Sequence, residues 1–236
     1  MIPVYYDKIS NNWKVADKSN LNSTYTWYNY DESKWANSII VKNSEKQIYD
    51  LTGRNNIKVA NLSVNNGNVI IDDNYLDLKI ANYNYNDISN IFRVKFDNLK
   101  SNIYLISNSR VSYYYNPTNK TFIFKNGNNT VTSETYNIEQ DKWYIIGYTY
   151  DGNNISFYAN GDKISSANIS GNLSSSSSFK LGTDIMASEV SKITVGDILF
   201  YNRILSDTEI SQNYRTSFNI IYQNLLYGYS EFTPMP

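Results

Sequence analysis

Clustered tyrosines and loop carboxylates are the side chains in this sequence whose spacing could do chemistry. The densest aromatic group is "RVSYYYNP", residues 110–117, where Tyr113 and Tyr115 share one strand face and Tyr114 takes the other. Aromatic faces stack on the C–H surface of a sugar ring, and amides or carboxylates beside them bind its hydroxyls. Tyr113 and Tyr115 are therefore the first candidates for ligand contact, with Tyr83 and Tyr85 of "ANYNYND" contributing from a polar turn and Asp184 as the loop carboxylate. That these tyrosines only pack in a tyrosine-rich core is the alternative, and it stays open at this stage.

Other chemistries are narrowed by what the chain lacks. It contains no histidine and no cysteine. Thiol nucleophiles, histidine bases, His/Cys zinc sites, disulfides and a Ser-His-Asp triad are excluded within it. Calcium needs several converging oxygens. Asp72, Asp73, Asp184 and Glu189 are acidic and loop-placed, but no EF-hand spacing joins them, so no metal site is assigned. Asp207 and Glu209 look like a catalytic carboxylate pair, yet "LSDTEISQNY" reads better as a capped helix, with Ser206 as N-cap and Glu209 closing a capping box.

The 21 basic and 22 acidic residues nearly cancel, and no Lys/Arg-rich run appears, which argues against nucleic acid as a partner. No segment approaches the 18 or so apolar residues of a membrane span, so no membrane insertion is expected. The N-terminus lacks the basic and apolar segments of a secretory signal, and synthesis without a signal peptide is expected. Asn-x-Ser/Thr triplets such as Asn119 and Asn172 are read as chance products of an asparagine-rich composition.

The elements that must position these residues read as strands. "KWYIIGYTY" ends at Asp151-Gly152, "NISFYA" follows, and Asn160-Gly161 signals a type I′ hairpin into "DKISSANI". Tyr144, Ile146, Tyr148 and Tyr150 share one face of the first strand; Trp143, Ile145, Gly147 and Thr149 share the other. Both faces are bulky, as in a strand buried between layers. "IFRVKFD" alternates, with Phe92, Val94 and Phe96 inward and Arg93 and Lys95 outward. "RVSYYYNPTNKTFIFKNG" and "VIIDDNYLDLKI" each read as two strands, and "KITVGDILFYNR" as a late one. Many short strands with turns between them indicate an all-β sandwich. Residues 1–46 read as a small aromatic module of two hairpins, "YYDKISNNWKVAD" and "YTWYNYDESKWANS", serving oligomerisation or attachment. Residues 47–218 form the main domain and 219–236 a tail.

"IYDLTGRNN", "KWYIIGYTYDGNNISFYANGDKI", "FKLGTD" and "GDILFYNRILSDTEISQNY" follow one another as in laminin G-like, concanavalin A-like jelly-roll domains, which this chain resembles over residues 47–218. The resemblance implies a two-sheet antiparallel jelly-roll sandwich with Trp143 and alternate strand residues between the sheets. It also implies glycan or protein binding, without a cofactor, although calcium at a sheet rim occurs in some members. Related glucanases carry Glu-x-Asp-x-x-Glu for hydrolysis. No such triplet stands here, so no enzyme is expected.

"WYNYDESKWANSIIV" resembles a module of tail-fibre proteins from phages and prophages of Gram-positive bacteria. That resemblance implies a receptor-binding protein of a virion tail or bacterial cell exterior. It would recognise bacterial cell-surface glycan as a homo-oligomer, a trimer among the options. A structural spacer without glycan affinity, a toxin receptor-binding domain and a polysaccharide hydrolase are the alternatives.

Overall fold

A computed structural model describes residues 62–65, 68–79 and 86–218, together with short strands at Val4–Asp7, Asn12–Val15, Tyr25–Tyr28, Ile39–Lys42, Glu45–Ile48 and Ile57–Lys58. Two antiparallel sheets face each other. The larger has eight strands, in the order Asp162–Asn168, Asn154–Ala159, Trp143–Tyr150, Ile88–Phe96, Ile193–Tyr201, Asn68–Ile71 and Ser63–Asn65, with Tyr25–Tyr28 also on Ile193–Tyr201. The smaller has six: Asn129–Thr135, Thr121–Asn126, Val111–Asn116, Ile103–Ser107, Lys180–Leu181 and Leu76–Asp77.

Period-two alternation builds the core between them. Phe92, Val94 and Phe96 from the large sheet meet Tyr113, Tyr115, Phe122 and Phe124 from the small one. The core is aromatic, and its phenol groups find partners. Tyr113 OH donates to Gly147 O (3.3 Å), Tyr115 OH donates to Tyr136 O (3.0 Å), and Tyr148 OH accepts from Asn90 Nδ2 (2.8 Å). Buried hydroxyls paired in this way avoid most of their desolvation cost.

The Trp143–Tyr150 strand packs Tyr144, Ile146, Tyr148 and Tyr150 inward. Gly147 lies so close to its neighbour that a Cβ there would stand 2.3 Å from Asn90 O. Asn160 and Gly161 both take positive φ (51° and 88°), the conformation of the expected type I′ turn. Later in the chain, Glu209 N donates to Ser206 Oγ (3.3 Å) and Ser206 N donates to Glu209 Oε2 (2.9 Å). This capping box opens the helix Asp207–Phe218.

Two expectations are corrected. Arg93 points outward but is 3 % exposed, because Asp197 accepts from its Nε at 2.6 Å and the Trp143 ring lies 4.6 Å away. Trp143 itself is half-buried on that outer face, over Arg93, rather than between the sheets. In the N-terminal block, Val4–Asp7 pairs with Asn12–Val15 as the first expected hairpin. The turn and return of the second expected hairpin, residues 29–38, lie outside the described residues; its first strand, Tyr25–Tyr28, adds to the large sheet against Ile198–Tyr201, and Ile39–Lys42 pairs with Glu45–Ile48. The "YDLTGRNN" motif and residues 219–236 lie outside the described residues.

Candidate functional site

The outer face of the six-stranded sheet carries an aromatic pair beside loop carboxylates. Tyr104 and Tyr114 are opposite each other in register, and alternation turns both away from the core. Their rings lie 4.8 Å apart at 33°. Across the next strand pairing, Ile123 faces Tyr114 and Lys125 faces Ser112. The Lys125 ammonium reaches back over the Tyr114 ring at 5.5 Å, a cation–π contact.

A loop closes the other side of the pair. Leaving the short Lys180–Leu181 strand, Gly182 N donates to Leu105 O (3.3 Å) and Thr183 O accepts from Ser107 Oγ (2.7 Å). The chain returns at Ser191, whose Oγ accepts from Tyr104 N (2.7 Å). Between these anchors, Asp184 ties the loop, accepting from Ser188 N (2.6 Å), Ser188 Oγ (2.7 Å) and Glu189 N (3.0 Å). Burial opposes the ionised form of Asp184, but the donors of Glu189 and Ser188 prevail and hold its carboxyl below the usual range. Met186 at the loop tip is 81 % exposed.

The loop acts on Tyr104 electrically. Burial, then the charge of Glu189, then Tyr114 and Asp184, push the Tyr104 hydroxyl up to about 12. It stays a neutral donor at physiological pH. An aromatic ring, a phenol donor and two carboxylates thus share one edge of this face, with a second ring beside them.

The expected site residues fare differently. Tyr113 and Tyr115 are 0 % and 1 % exposed and cannot stack a ligand. Strand parity puts them with Val111 in the core, where Tyr113 stacks on Phe122 (5.8 Å) and Phe157 (6.3 Å), and Tyr115 meets Phe96 edge-on (5.8 Å). Their face was the wrong one; Tyr114 between them points to the outer face, where it is 6 % exposed beneath Lys125 and beside Tyr104. Tyr83 and Tyr85 lie outside the described residues. Asp184 is in the loop beside Tyr104. Sequence reasoning missed Tyr104; the alternation of "IYLIS", with Ile103 and Leu105 inward, was the available signal.

Among the described residues no three carboxylates gather as a cation site, and Asp72 is paired with Lys192. Also among the described residues, no helix is long and apolar enough to cross a membrane, which leaves β-barrel spanning unaddressed.

Two face-packed antiparallel sheets closed by a capped helix define a jelly-roll sandwich of the lectin kind. The chain belongs to the concanavalin A-like lectin/glucanases superfamily, whose laminin G family model matches residues 66–211. A search of curated proteins gives no match. Among solved structures, Trypanosoma rangeli sialidase is similar at a TM-score of 0.62 and 17% identity, over 86% of this chain and 34% of that one. This chain therefore spans about a third of the sialidase's length. Domain 4 of AbnA, a GH43 extracellular arabinanase from Geobacillus stearothermophilus, in complex with arabinotriose, is similar at a TM-score of 0.54 and 15% identity, over 61% of this chain and 75% of that one. At such identities the likeness speaks for the fold.

Proposed function

We propose that this chain is a non-enzymatic carbohydrate-binding module that recognises bacterial surface polysaccharide as the receptor-binding part of a tail fibre. The observation that carries the reading is the Tyr104–Tyr114 ring pair beside Asp184 and Glu189 on an outer sheet face. The half-buried Tyr104 ring supplies sugar contact, the Tyr114 ring lies beside it under Lys125, and the flanking groups supply hydrogen-bond partners. Carbohydrate-active structural neighbours, one a domain seen with arabinotriose, agree with that choice.

The non-enzymatic part is supported by the carboxylates. Hydrolysis of a glycosidic bond needs one carboxyl held protonated as general acid. Asp77, Asp151, Asp184, Asp207 and Glu209 are shifted the other way, below their ordinary values, so none of these five is suited to be that acid. The tail-fibre setting, on a virion or bacterial exterior, rests on the resemblance of residues 27–41. Assembly as a homo-oligomer, such as a trimer, would multiply a weak single site by avidity.

Calorimetric titration with isolated Gram-positive cell-wall polysaccharides, in calcium and in chelator, tests the binding. Saturable heat without release of reducing ends supports the module. Release of reducing ends overturns its non-enzymatic character. Light scattering on the same sample reads assembly, and an assembled, folded chain that binds no preparation is a spacer instead.

A further inference from the structure

Resting on the reading of this face as a sugar platform, we propose that its ligand is a saccharide with a free, protonated amino group, seated over the Tyr104 ring beside Glu189 and Asp184. The first argument is uncompensated charge. Glu189 is exposed, and among the described residues no basic side chain pairs with it. Asp184 is bound by donors of its own loop, all of them neutral. The loop that carries both is tied to Tyr104 itself, whose N donates to Ser191 Oγ at 2.7 Å, so two negative charges act on Tyr104 and both raise its hydroxyl. An aromatic face and nearby carboxylates attract the same thing, a cation, and the ring's partial desolvation strengthens the pull.

The neighbouring ring already takes a cation. Lys125 lies over Tyr114, while among the described residues Tyr104 has no cation over it. An ammonium on Tyr104 would repeat for a ligand the contact that Lys125 makes internally. A neutral acetamido group would forfeit both attractions.

An independent observation comes from the same face. Ser112, 2 % exposed, has an Oγ with no hydrogen-bond partner, although buried hydroxyls ordinarily have one. Ser112 is two residues from Tyr114 and directly opposite Lys125. The Lys125 side chain thus spans the position opposite Ser112 and the face of Tyr114 together. A sugar ring that displaced this flexible chain would gain the Tyr114 face for stacking and bring a hydroxyl to Ser112. Its amino group would continue to Tyr104.

The probes are chitohexaose with free amino groups and its fully N-acetylated form, titrated calorimetrically into the full chain. The free-amine form binds roughly tenfold tighter than the acetylated form at low salt, and the preference narrows as salt screens it. Glu189→Gln abolishes that preference; Glu139→Gln, which removes an exposed carboxylate paired with Lys142, leaves it intact. Equal binding of both forms, lost together in Tyr104→Ala, overturns the amine inference and leaves the platform standing. No binding of the amine form also overturns the inference. Wall polysaccharide titrated in the same buffer then decides separately whether the platform reading survives.

Discussion

Tyr113 and Tyr114 are adjacent in the chain and lie on opposite faces of their strand: the first is sealed between the sheets, and the second, 6 % exposed, packs under Lys125 and against Tyr104 on the outer face. That division separates stability from function. Tyr113→Ala removes a fully buried ring from contact with Phe122, Phe157 and Tyr148. It should cost about 3–5 kcal/mol in urea unfolding. Tyr104→Ala should cost about 1–2 kcal/mol and instead weaken glycan binding.

Arg93 and Asp197 form a pair with both side chains 3% exposed. Removing one partner strands the other charge, so Arg93→Ala should destabilise by about 3–5 kcal/mol. Gly196 makes room for the pair, since a Cβ there would stand 2.1 Å from Arg93 Cζ. Gly196→Ala should therefore be severe in the wild type and mild when combined with Arg93→Ala. Unfolding free energies of the three variants test this as a double-mutant cycle.

Glu209 is held down to about 2 by Arg203 first, then by the backbone and hydroxyl of Ser206. Because the folded value lies below the unfolded one, its contribution is present above about pH 4.3 and is lost as the pH falls from there toward 2. Thermal melts of Glu209→Gln should lie below the wild type at neutral pH and converge with it near pH 2. A constant gap across that range would remove Glu209 from the acid response.

Tyr104 should ionise late, near pH 12, because of burial and then Glu189. Carbon-detected NMR of labelled tyrosine should show its titration moving down in Glu189→Gln. An unchanged titration would mean that the Glu189 charge does not act on this ring, and the amine preference would lose its electrostatic basis.

The fold was legible because its signals were periodic and local. Asn160-Gly161 demanded positive φ at two successive residues, and Ser206 with Glu209 formed a capping box, so both appear as read. The site was less legible because alternation gives two faces without saying which is inner. In "RVSYYYNP" both parities are aromatic, and Val111, a buried neighbour of the same parity as Tyr113, is the weak cue that decides. Tyr104 depended on tertiary proximity to Glu189, 85 positions away, which no spacing encodes. Arg93 read as solvated because its partner Asp197 and the opening at Gly196 come from a distant strand.

The most direct test of carbohydrate binding through the Tyr104–Tyr114 face is a calorimetric comparison. Gram-positive wall polysaccharide is titrated into the wild type, Tyr104→Ala and Tyr114→Ala, with circular dichroism confirming that each is folded. Saturable binding in the wild type that falls by roughly tenfold or more in both variants is the predicted result. Binding left unchanged by both substitutions, or none from the folded wild type to any preparation, would contradict it.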